Sequence, residues 1–185
     1  EILLRELSFS SGDCLVFVGD LIARGPDSLG VLDIVRQTGA LLVRGNHEQK
    51  ILDWKRDNRV TLGRMHKELA LSLRPVDWSL LESAPLSIEL PAHRARVVHA
   101  GVDPRLPFDQ QSPESLLNIR TVATRDGHRP LWGAAYNGPE QIVFGHNAAP
   151  GLQLHPFATG LDTGCVYGGR LTAMVLPEGA VVPKS

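Results

Sequence analysis

Five polar residues sit where apolar runs end. Asp20 closes "CLVFVGD", Asn46 and His47 follow "ALLVRG", His99 follows "ARVV", and His146 follows "QIVFG". A carboxylate, an amide and imidazoles are poor core material but good ligands, and this set of hard-to-borderline donors suits Mn2+, Fe or Zn2+. A lone soft-metal site would use thiolates instead. Four separate run ends with complementary donors point to a metal-dependent hydrolase.

Such chemistry gives each residue a distinct part. Two metals about 3.5–4 Å apart can share a carboxylate, acidify a water and clamp phosphate oxygens during in-line attack. Asp20 is the candidate bridge, because a carboxylate has two oxygens to divide and an imidazole has one free nitrogen. Asn46, His99 and His146 are further candidate ligands. His47 directly follows a ligand, which suits a general acid for the leaving oxygen. Arg24, in "GDLIARG", can fork two phosphate oxygens. Gly45 is expected to let the backbone turn sharply before Asn46. His66, His93, His128 and His155 lack this context and read as ordinary.

The elements that must position these tips are legible in outline. "CLVFVGD" and "ALLVRGNHE" read as buried strands, and "GPDSLGVLDIVRQTG" between them reads as a helix. Pro26 lies near its first turn, Leu29, Leu32 and Val35 share one face, and Gly39 stops it. A strand, helix, strand order predicts a βαβ unit that delivers both polar tips to one sheet edge. From about 49 to 82 the chain reads as mostly helical, with Leu62, Met65, Leu69 and Leu73 in register and Pro75 ending the run. After Pro85, "LSIEL", "ARVVHAG", "QIVFGH" and "RLTAMVL" read as short strands between Gly- and Pro-rich loops.

At 185 residues, with 43% hydrophobic and 21% charged residues, the chain is expected to form a single domain over 1–185. A formal net charge of -1 advertises no polyanion-binding surface, so duplex nucleic acid is not an expected partner. Cys14 and Cys165 match no zinc or disulfide spacing and are expected to be reduced thiols, with Cys14 buried at the head of its apolar run. No stretch is long enough to span a bilayer and "EILLRELSFSSGD" is unlike a signal peptide, so a soluble cytoplasmic protein is expected. Ile2, Leu3, Leu4 and Leu7 read as the last turns of an amphipathic helix, which implies residues upstream of Glu1.

"GDLIARG", "GNHE", "VVHAG" and "FGH", in this order, resemble the calcineurin-like metallophosphoesterases, in particular the phosphoprotein phosphatase branch and its bacterial diadenosine tetraphosphatase relatives. The resemblance runs from Gly12 to about Leu176. "LDTGCVYGG" is similar to the diadenosine tetraphosphatase side, and "GNHE" to the protein phosphatases. It implies an α/β fold of two mixed β-sheets packed face to face with flanking helices. It also implies two divalent metal ions, with Mn2+ first and Fe or Zn as alternatives. Asp20 would bridge both metals, Asn46, His99 and His146 would complete the second site, and His47 would be the general acid. Arg24 would bind phosphate. Arg120, Asp162 and Tyr167 would line the substrate groove, with Cys165 near the same wall. The implied substrate is a phosphorylated small molecule, such as a dinucleoside polyphosphate, or a phosphoprotein.

Two departures from that pattern matter. The family's Asp-x-His-Gly segment, which supplies the first metal's own ligands, does not occur before Asp20, as though the first strand and part of the first helix lay upstream of Glu1. Taken alone, the present chain is therefore expected to hold one metal and to show weak or no activity. Ala23 stands where the protein phosphatases carry an Asp that orients the general-acid His. A non-catalytic nucleotide- or protein-binding module on the same fold is the competing expectation. Oligomeric state stays open.

Overall fold

The structure is a computed structural model that describes residues 1–182. The chain divides into two compact units, Glu1–Pro85 and Leu86–Ser185, each with its own apolar core.

In the first unit the expected βαβ arrangement is present. β1 (Val16–Phe17) and β2 (Leu41–Leu42) pair in parallel, with α2 (Ser28–Thr38) between them, after a short α1 (Ile2–Glu6). The ladder runs on beyond the strands through Leu41 N to Leu15 O and Val43 N to Phe17 O, both 2.9 Å. α2 starts at Asp27, whose side chain accepts from Gly30 N at 2.8 Å, and ends at Gly39. It buries Leu32 and Val35, with Leu29 packed against the same core.

The helical stretch resolves into α3 (Asn46–Arg56), α4 (Arg64–Ser72) and α5 (Pro75–Ser83). Three expectations change here. Helix begins at Asn46, so "NHE" is a first helical turn. Pro75 opens α5, where its missing N–H costs nothing, as well as closing the run before it. Met65 is exposed, while Leu62, Leu69 and Leu73 of the expected stripe pack against the core, and His66 and Ala70 are buried on the same helix.

In the second unit β3 (Ser87–Leu90), β4 (Ala95–Val98), β5 (Gln141–Phe144), β6 (Gln153–His155) and β7 (Ala158–Gly160) form a sheet in the order β3-β4-β5-β7-β6. β4, β5 and β7 run parallel, and β3 and β6 pair antiparallel to their neighbours. Every residue of β5 is buried, as a central strand covered on both faces requires. α6 (Pro113–Asn118) and α7 (Trp132–Ala135) add Leu116 and Trp132 to the core with Val98, Ile142 and Phe144. "RLTAMVL" is not a strand. Arg170 makes isolated bridges to Thr163 and Gly164, and residues 171–177 carry no regular structure, because the β6–β7 hairpin occupies the place beside β5.

Cys14 is exposed, contrary to its expected burial, because it precedes the paired part of the β1 run; Cys165 is exposed too, and both thiols are free. Among the described residues no helix is long and apolar enough to cross a membrane.

Candidate active site

In the first unit the loop after β1 and the start of α3 are held together by two carboxylates. Glu48 is fully buried and accepts from the backbone N–H groups of Asp20 (2.9 Å), Leu21 (2.8 Å) and Gly45 (2.8 Å). Asp20 Oδ1 accepts from His47 N at 3.0 Å, so a first-turn donor of α3 meets an anion where the helix dipole favours one. Asp20 itself has φ 57, in the left-handed region that Asp tolerates better than most side chains.

Gly45 has φ -94 and ψ 173, extended backbone open to any residue, so the expected sharp turn is not why glycine stands there. A Cβ at this position would lie 2.3 Å from Asp20 Oδ1 and 2.4 Å from Asp20 N. Close approach of the two segments is the constraint.

His47 is partly buried, with Nε2 3.9 Å from Asp20 Oδ2 and Nδ1 2.7 Å from His66 Nε2. Burial lowers the proton affinity of His66. The positive charges of His47, Lys50 and Arg24 add to that effect, while Asp20 opposes it. Asn46 is the first residue of α3 and is partly buried; Arg24 is exposed, four residues after Asp20 on the same loop.

In the second unit β4 and β5 are parallel neighbours, so their carboxyl ends emerge side by side. His99 follows β4 and is 1% exposed; Gly145 and His146 follow β5. Gly145 N donates to His99 O at 2.8 Å, and His99 Nε2 lies 3.2 Å from His146 Nδ1 with the rings 70° apart. His146 has φ 65, a costly conformation for histidine. Two imidazole nitrogens bound to one cation at about 2.0–2.1 Å, at octahedral or tetrahedral angles, stand about 2.8–3.4 Å apart. The His99–His146 pair fits a divalent metal.

The expected groove residues fare differently. Tyr167 is 68% exposed and lines a shallow groove of about 410 Å³ with Ala148 and Thr163. Asp162 Oδ1 accepts from Gly164 N at 3.0 Å, a turn-stabilising bond. Arg120 is exposed, and its carbonyl accepts from Trp132 N at 3.1 Å.

Sequence reading noted Glu48 only as part of the polar tip, with no role of its own, and set His66 aside as ordinary. Glu48 supplies the carboxylate half of a capping box, accepting from Gly45 N, but the glycine lacks the side chain that would have marked the motif in sequence. His66 gave no signal, since it lies 19 residues from its partner on another helix.

The fold is that of a phosphoesterase, and the chain belongs to the calcineurin-like phosphoesterase family, whose profile matches residues 2–175. Among individual proteins it is 33% identical over 189 residues to the asymmetrical bis(5'-nucleosyl)-tetraphosphatase PrpE of Anoxybacillus flavithermus, covering 91% of this chain and 77% of that one. It is also 33% identical over 190 residues to serine/threonine-protein phosphatase 1 of Salmonella typhimurium, covering 91% and 82%. A crystal structure of a protein provisionally assigned as a diadenosine tetraphosphatase superposes with a TM-score of 0.81 at 38% identity, covering 91% of this chain and 79% of the other.

Proposed function

We propose that this chain hydrolyses a phosphoanhydride of a dinucleoside polyphosphate, with its two units working as one metallophosphoesterase domain. The observation that carries the reading is the Asp20–Glu48–His47 arrangement at the start of α3, which holds a carboxylate and an imidazole at fixed positions beside an N-terminal helix dipole. Asp20, Asn46, His99 and His146 are the proposed ligands of divalent metal ions, Mn2+ first. When bound, such ions supply a nucleophilic water at neutral pH and neutralise phosphoryl oxygens.

The chain's own residues do the rest. Arg24, exposed on the loop after Asp20, engages two phosphate oxygens and orients the scissile phosphorus. His47 gives its Nε2 proton to the leaving phosphate oxygen as the P–O bond breaks. Tyr167, exposed beside its groove, offers an aromatic face to a nucleobase. Asp162 braces the turn at Gly164, a residue of the groove lining, whereas Arg120 is not among the lining residues. The likeness to PrpE supports the dinucleotide, and the likeness to the Salmonella phosphatase supports a phosphoserine or phosphothreonine ester as the second substrate class.

The test uses the full gene product with Mn2+, offered diadenosine tetraphosphate, a phosphoserine peptide and 4-nitrophenyl phosphate. The dinucleotide should give the highest kcat/KM, and His47→Ala should lose about 10²–10⁴-fold in kcat on it. Preference for the peptide would transfer the assignment to a protein phosphatase. Metal binding with turnover of none of the three would favour the non-catalytic binding module.

A further inference from the structure

A histidine that donates a proton from Nε2 needs a partner on Nδ1. Without one the ring can rotate about Cβ–Cγ and the proton can reside on either nitrogen. Carboxylates and backbone carbonyls are the usual partners. In this chain the Nδ1 of His47 meets another imidazole: His66 Nε2 at 2.7 Å, with the two rings within 9° of parallel.

His66 is built for that contact and not for solvent. It is 7% exposed on α4, whose inward face also carries Ala70 and leads on to Leu73. Burial first, then the positive charges of His47, Lys50 and Arg24 against the opposing Asp20, shifts the ring toward its neutral form, and a neutral imidazole protonated on Nδ1 has a lone pair on Nε2 to accept with. Opposite it, the Nε2 edge of His47 faces Asp20 Oδ2 at 3.9 Å, the edge where the proposed chemistry takes place. The helix that carries His66 is therefore tied to the reacting histidine through one polar contact.

We propose that His66 is a positioning residue, accepting at Nε2 a hydrogen bond from His47 Nδ1–H and so fixing the His47 ring with Nε2 toward the leaving oxygen. This rests on the reading of His47 as general acid. It assigns a task to α4 that is separate from packing.

The decisive measurement has two arms on the full gene product with Mn2+. In the first, His66→Phe removes the acceptor and keeps the ring volume, while His66→Gln keeps a polar atom at similar reach. On phenyl phosphate, whose leaving group needs protonation, His66→Phe should lose about 10–100-fold in kcat with KM nearly unchanged, and His66→Gln should recover most of it. On 2,4-dinitrophenyl phosphate, whose leaving group does not, the loss should be under about threefold.

In the second arm, with diamagnetic Zn2+ in place of Mn2+, long-range 1H–15N spectra should show neutral His47 as the Nδ1–H tautomer in the wild type and shifted toward Nε2–H in His66→Phe. If the Phe variant fails to fold, His66→Met replaces it in both arms. Equal losses on the two esters, or an unchanged His47 tautomer, would overturn the positioning role and leave the phosphoesterase reading standing. A folded, metal-loaded wild type inert to every phosphate ester and anhydride would overturn the phosphoesterase reading, while the spectra would still report the hydrogen bond.

Discussion

Glu48 concentrates three backbone donors on one buried carboxylate, from Asp20, Leu21 and Gly45. Replacing it with Gln trades one acceptor oxygen for an amide that must point hydrogens at an N–H. Glu48→Gln should therefore cost about 1.5–3 kcal/mol in urea denaturation, with activity falling further as Asp20 loses its anchor. Asp20→Asn is the contrasting change: the amide oxygen can still accept from His47 N, so the melting temperature should stay within a few degrees of wild type. Bound Mn2+, measured by elemental analysis, should nevertheless drop. An unaltered metal content would remove Asp20 from the ligand set. Sequence reading found Asp20 because its chemistry is local to its own run, and overlooked His66 because its importance depends on a helix packed beside it.

At the scale of elements, glycines adjoining the tips are demanded by neighbours. Gly45 leaves room for Asp20, and Gly101, with φ 153, lies against the Trp132 ring, where a Cβ would fall 2.2 Å from ring atoms. That indole is 2% exposed and donates from Nε1 to Ala100 O at 3.0 Å, so it has no room to withdraw. Gly45→Ala and Gly101→Ala should each destabilise by about 1–3 kcal/mol by thermal or chemical unfolding. Wild-type stability in either would mean the segment relaxes freely. The βαβ unit and strands β4 and β5 were readable because their apolar runs are continuous, and β3 because "LSIEL" alternates apolar and polar residues. The β6–β7 hairpin was not, since "QLHPFATG" is a weak pattern whose pairing is decided by the free edge of β5.

At the scale of the whole molecule, acid sensitivity follows from an ionic cluster built around one buried carboxylate in the first unit. Asp77 is fully buried; burial alone would raise its pKa, but hydrogen bonds from the Arg74 side chain and backbone, then from Arg36, outweigh it and hold the carboxyl at about 2, below its ordinary 3.8. Asp33 shares both arginines and is likewise held low, by Arg74 first and then Arg36. A folded pKa below the unfolded one gives stability that is complete above about pH 4 and is lost as pH falls toward 2. Urea midpoints should decline over that window, and Asp77→Asn should flatten the decline while costing about 1–3 kcal/mol at pH 7. A parallel pH profile in the variant would shift the acid sensitivity to other carboxylates.

The sequence by itself determined the family, the metal-suited donor types and the elements that carry them, because run-end residues and strand-helix-strand spacing are encoded in consecutive positions. Only the tertiary structure decided that Glu48 ties the Asp20 loop to α3, that Gly45 is required by crowding, and that His66 reaches His47. Each of these joins residues 19 to 28 positions apart, or a loop to a helix, and such contacts leave no periodic mark on the chain.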